Sequence, residues 1–193
     1  MENFVQSILS TGLFIHVIAG VKALVSGLIA LGLFRRPVKH RKVGKVFFYS
    51  MLVVFVTAIS ISAYKGIDFL FCIAVFSFYL VFKGVRSLRK FKGSETRWYD
   101  HGAAIALMIS GLYLITKAFT AFQNDNLSGT VIYAAFSVFM VVKGIQGMRQ
   151  FSTKPSRDPF WFREHKGSMG GALIATMTAF GVTALSFLPD VLV

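Results

Sequence analysis

Acidic residues are scarce in this 193-residue chain: 8 Asp and Glu stand against 21 Lys and Arg, and charged residues of both signs make up only 15%. Soluble domains carry roughly a quarter. Only one cysteine is present, Cys72, inside an apolar run, so no internal disulfide can form and the thiol reads as packing. A Ser/His/Asp order, a glycine-rich phosphate loop and a dinucleotide fingerprint are missing, which leaves no case for ATP or NAD chemistry. The N-terminus lacks the basic start of a cleaved signal peptide, and the apolar stretch from Ile8 to Phe34 is too long for one; it reads as a retained first span.

What the chain does have is apolar length. Hydrophobic residues are 55% of the sequence, and the mean hydropathy is +0.65. A soluble chain of this size could not cover so much apolar surface, and lipid is its natural solvent. A bilayer core of about 30 Å takes about 20 apolar helical residues. Six stretches fit that length, at 7–34, 46–65, 67–88, 101–122, 129–150 and 167–188. The expected fold is all-α, one integral membrane domain over residues 1–193 with six transmembrane helices.

The net charge of +13 invites a nucleic-acid reading, and its distribution argues against one. All the basic residues except Lys22, Lys65 and Lys117 fall in three segments, from Arg35 to Lys45, Lys83 to Arg97 and Lys143 to Lys166. The connections between them are short and weakly charged. Alternation of this kind is the positive-inside signal. It implies three inner basic loops facing anionic lipid headgroups, with both termini on the non-cytoplasmic side.

An internal repeat supports the same layout. Phe76-Ser77-Phe78-Tyr79-Leu80-Val81-Phe82-Lys83-Gly84 aligns with Phe136-Ser137-Val138-Phe139-Met140-Val141-Val142-Lys143-Gly144. An aromatic, basic linker follows each copy, then an acid–His pair, Asp100-His101 or Glu164-His165. Residues 76–122 thus match 136–188, a parallel repeat that predicts three parallel helical hairpins. His40 opens the second span in the same way, so three returning helices start on a histidine at similar depth.

These histidines are the candidate chemistry, because an imidazole near hydrocarbon is costly unless paired. His16 shares a small-residue stripe with Gly20, Ala23, Gly27 and Ala30, and His165 shares one with Ser168, Ala172 and Ala175. Such stripes let membrane helices approach closely. His16 lies about ten residues in from the outer end of its span, roughly 15 Å at about 1.5 Å per residue, whereas His40, His101 and His165 sit near the inner surface. The expected cluster is therefore His40 and His165, with His101 as a third member. Two imidazoles suit the axial positions of a haem b, with Arg41, Lys42 or Lys166 near its propionates. Three suit zinc with an open fourth position. Glu164 and Asp100 are expected to orient the neighbouring histidines or to relay protons. Lys22, in mid-span, is either a titratable group or a snorkelling cation. Trp98, Tyr99, Phe160, Trp161 and Phe162 read as an interfacial aromatic belt.

His16 with Gly20, then His40-Arg41 followed by Gly44-Lys45, Phe47-Phe48-Tyr49 and Met51, then Glu164-His165 followed by Met169, Gly171-Ala172 and Ile174-Ala175-Thr176, with Thr178-Ala179-Phe180, resemble a family of small bacterial membrane proteins, the domain of unknown function 2306 family. Phe76 to Gly84 and Trp98 with Asp100 resemble its Bacteroidetes-type members. The likeness covers most of the chain. It implies a multi-pass protein of the bacterial inner membrane and a histidine pattern of His16, His40 and His165. It implies no activity.

Four functional readings follow. One is a b-type cytochrome-like electron carrier, working with quinone or another membrane redox partner. Another is a proton- or ion-coupled transporter of small solutes, using His16 and Lys22 on a polar path. The third is a scaffold without a cofactor, and a zinc hydrolase on the inner cluster is a fourth. Self-association is compatible with each.

Overall fold

The computed structural model describes residues 2–185, and the side chains of 6–182. Six α-helices follow one another: α1 (Glu2–Gly32), α2 (Pro37–Lys65), α3 (Asp68–Phe91), α4 (Trp98–Gln123), α5 (Leu127–Ser152) and α6 (Pro159–Leu185). No strand occurs among the described residues. Five of the helices, α1 to α5, are long and apolar enough to cross a membrane. The sixth is diluted by Gly167, Ser168, Gly170, Gly171, Thr176 and Thr178, and the end of the expected span 167–188 lies outside the described residues.

Local chemistry places the helix ends. Pro37 opens α2, where its missing amide costs nothing, so α2 begins nine residues before the expected span and carries His40 in its first turn. Gly66 closes α2 in the left-handed region at φ 66°, returning its amide to the carbonyls of Ala63 and Ser62. The Asn126 side chain accepts from the Gly129 amide (2.9 Å) to start α5, and Asp158 accepts from the Phe160 amide (2.7 Å) to start α6.

Helix pairing departs from three consecutive hairpins. α1 packs on α2 as expected, and α3 meets α4, but α5 and α6 make no helix–helix contact among the described residues. Instead α6 crosses to α3 and α1, while α5 lies along α4. The result is a ring of four helices (α1, α2, α3, α6) with the α4–α5 pair attached to the outside of α3. The repeat survives in exchanged form: α3 with α6, and α5 with α4, are equivalent pairs.

The physical reason lies in the surfaces. At Gly144 on α5 a Cβ would strike Met108 and come within 3.1 Å of the Ala104 carbonyl, so the α4–α5 approach requires glycine there. On the other side of α3, Gly84 seats Met169 of α6; a Cβ would lie 2.9 Å from its Cγ. Ala23, Gly27 and Ala30 of the expected α1 stripe do face protein, with Gly27 against Phe47 and Leu173. The core joins Phe47 and Met51 of α2, Phe76, Tyr79, Leu80 and Val81 of α3, Leu107 and Leu114 of α4, and Ala172 of α6.

Candidate functional site: a histidine pair and a buried cationic face

His40 stands in the first turn of α2 and His165 in the second turn of α6, and the four-helix ring brings them together. Their ring centroids are 6.2 Å apart with planes at 80°. Each is anchored in the same way. His40 Nδ1 lies 2.8 Å from the Ala30 carbonyl of α1, and His165 Nδ1 lies 2.9 Å from the Gly84 carbonyl of α3. A carbonyl can only accept, so Nδ1 donates in both rings and, in the neutral imidazole, Nε2 is the acceptor nitrogen. Nδ1–H bound to a backbone carbonyl is how metal-binding histidines are commonly held and oriented. Phe162 stacks on His165 at 6.4 Å, and one turn along from His40 a Cβ on Gly44 would meet nothing within 4 Å.

The 6.2 Å spacing at 80° is that of an edge-on contact between the two rings, close enough for both imidazoles to belong to one site.

The expected three-histidine layer does not form. Among the described residues no group of three His, Cys, Asp or Glu comes together as a metal site. His101 belongs to α4, outside the ring, and its Nδ1 is shut from solvent without a hydrogen-bond partner. It occupies the equivalent place to His165 in the repeat but lacks the carbonyl bond.

His16 sits apart. Its Nδ1 is 2.9 Å from Thr57 Oγ1, whose hydroxyl donates to the Val53 carbonyl (2.8 Å), so this imidazole also donates through Nδ1. Lys22 is exposed on the outside of α1, whereas Ser26 is buried and donates to the Lys22 carbonyl (2.6 Å). His16 and Lys22 therefore face different sides and share no polar path.

Arg41 and Lys166 are exposed. Arg41, Lys42, Lys45 and Val38 line a pocket of about 260 Å³ on a face of α2 that does not include His40, and the Lys166 ammonium lies 5.1 Å from the Phe162 ring centre.

Glu164 and Asp100 do not orient their neighbouring histidines. Glu164 pairs with Lys83 of α3 at 2.7 Å, and the carboxylate of Asp100 takes both arms of Arg86 at 2.5 Å and the Arg97 amide at 2.8 Å. Lys90, fully buried, donates to Thr96 Oγ1 (2.5 Å), the Thr153 carbonyl (2.7 Å) and the Phe151 carbonyl (3.1 Å), under the ring of Trp161. Lys83, Arg86 and Lys90 thus form one buried face of α3, although the charge pattern counts them with the basic residues of an inner segment. Their three- and four-residue spacing, in line with Tyr79, was the available signal. Trp161, 2% exposed, is part of this core and not of an interfacial belt; Trp98, 84% exposed, fits the belt.

The described fold and its apolar helices define a helical membrane protein. No protein-family model matches the chain, and comparison with curated proteins and with solved structures likewise returns no match.

Proposed function

We propose that the chain is a six-span protein of a bacterial inner membrane that carries electrons through a haem b held by His40 and His165. The observation that carries this reading is the ring pair: two imidazoles from different helices, each tied through Nδ1 to a carbonyl, with centroids 6.2 Å apart. Helix bundles build cofactor sites from facing side chains in this way.

In this reading α6 completes the sixth span, and both termini lie on the non-cytoplasmic side. The His40–His165 contact and the bonds of Lys90 to Thr96, Phe151 and Thr153 support it, because they gather the three basic connections at one end of the bundle. The likeness to the domain of unknown function 2306 family, through His16, His40 and Glu164-His165, supports the same placement.

Haem, when bound, supplies a one-electron couple tuned by its axial ligands and their hydrogen bonds. The chain's part is to fix the two imidazoles by their Nδ1 protons and to leave Nε2 free. One turn from His40, Gly44 leaves open space, and Lys166, next to His165 in the chain, offers a cation to a carboxylate, whereas Arg41 and Lys42 line a different face of α2. The transport reading draws nothing from the separated His16 and Lys22.

The test is an absorbance spectrum of the detergent-purified protein, expressed with haem supplementation, oxidised and then reduced with dithionite. A Soret band that shifts on reduction, and is lost in both His40→Ala and His165→Ala, is expected. A colourless protein that folds normally would sink the reading.

A further inference from the structure

Lys22 is exposed on the outside of α1, near the middle of a helix long and apolar enough to cross a membrane. At about 1.5 Å per residue it lies roughly 15 Å along the helix from Gly32 and roughly 24 Å from Gln6, the two ends of the apolar stretch. In a bilayer core of about 30 Å that leaves the ammonium short of either surface, whereas cations that snorkel stand near helix ends. A charge at such depth almost always pairs or faces the interior of a bundle. Lys22 does neither. Its ammonium joins no salt bridge and no cation–aromatic contact among the described residues. The side of α1 that packs on α2 and α6 is built instead from Ala23, Gly27 and Ala30.

The residues around it define what would answer the charge. Ile15, Ile18, Lys22, Val25 and Ile29 recur at three- and four-residue steps, and all are exposed. That spacing is the seam of a left-handed helix pair, the usual crossing of membrane helices. All but the lysine are apolar and β-branched, a stiff, flat surface for a second helix, and the lysine is central to it. One polar residue on a seam fixes register and partner, because it is costly until a complementary group stands opposite. Lipid tails offer none. Nor does a second copy, since no acid among the described residues is free at that depth. Asp68, Asp100 and Glu164 are paired with Lys117, Arg86 and Lys83, and Glu95, Asp125 and Asp158 lie in the connections between helices.

We propose that this face of α1 docks a transmembrane helix of another protein, one that carries an Asp or Glu at membrane depth. Ile15, Ile18, Val25 and Ile29 pack along that helix, and its carboxylate takes the Lys22 ammonium in the low-dielectric core, where no water competes for either. This inference rests on α1 spanning a membrane and is independent of any haem.

The experiment places the full chain, donor-labelled, in phosphatidylcholine vesicles with an acceptor-labelled synthetic helix of leucine and alanine as the probe. One version of the probe has Asp at the centre of its seam, the other Leu. Energy transfer is expected to show wild type binding the Asp helix about tenfold more tightly than the Leu helix, the order of one polar contact between membrane helices. Lys22→Leu keeps an apolar surface and should lose that preference, and Lys22→Glu should transfer it to a probe with a central Lys. Ile18→Ala/Val25→Ala should weaken binding of both probes, while Val138→Ala, on an exposed part of α5, should change neither. Equal binding of the two probes by wild type would show a lysine satisfied without a partner helix and overturns the proposal. Loss of the Asp preference on adding phosphatidylglycerol would assign Lys22 to a lipid headgroup, and Lys22-dependent energy transfer between two labelled copies would assign it to self-association; either result overturns it too. Vesicle flotation checks the span separately: wild type that does not float removes the membrane reading and this proposal with it.

Discussion

His165 donates through Nδ1 to the Gly84 carbonyl at 2.9 Å, joining the start of α6 to α3 on the far side of the chain. The bond does two things at once. It orients the imidazole, and it holds α6 against α3, where Gly84 leaves room for Met169.

Gly84 is therefore the position at which a small change should disturb the histidine pair. In Gly84→Ala the new Cβ meets the flexible Met169 side chain, which can yield, and little should change. Gly84→Val should lower stability by about 1–3 kcal/mol through overpacking. It should also move His165 away from His40. Thermal unfolding in detergent together with the absorbance spectrum checks both; an unaltered valine variant would count against close packing here.

The two histidines related by the repeat should respond oppositely to removal. His165→Leu breaks an anchored bond and should destabilise the fold as well as any bound haem. His101→Leu deletes a buried nitrogen that has no partner, and replacing such a group is neutral or stabilising. Melting temperatures of the two variants, measured side by side, decide this.

Arg86 and Asp100 are 2% and 0% exposed, so breaking the pair from one side strands a buried charge. Asp100→Ala should cost about 3–5 kcal/mol, and Arg86→Met with Asp100→Leu should recover much of that loss. The Lys117–Asp68 pair (2.7 Å) is solvent-exposed, and Lys117→Ala should leave the melting temperature almost unchanged.

Lys90 ties two connections together through Thr96, Phe151 and Thr153. Lys90→Met leaves the Thr153 carbonyl without its donor, while Thr96 still serves the Phe151 carbonyl, at about 1–3 kcal/mol for an unsatisfied buried group. The segment 153–158 should loosen first. Limited trypsin digestion should then cut after Arg157 faster than in wild type (Lys154 precedes Pro155 and is not a trypsin site); unchanged cleavage would show that the ammonium is not what holds the segment.

Helical class, membrane-compatible length and the cap chemistry at Pro37 and Gly66 are local properties, and the sequence by itself determined them. It also picked out His40 and His165, because both stand beside basic residues at the start of a returning helix. The tertiary structure alone decided which helices meet. Tails of lipid are as apolar as leucine, so an apolar helix face does not reveal whether it will touch lipid or protein. That choice rests on glycine gaps at Gly84 and Gly144, and on ion pairs between residues far apart in the chain, such as Lys83 with Glu164. For that reason α6 left α5 for α3, His165 met His40 while His101 stayed outside the ring, and three cations counted with an inner basic segment became the buried face of α3.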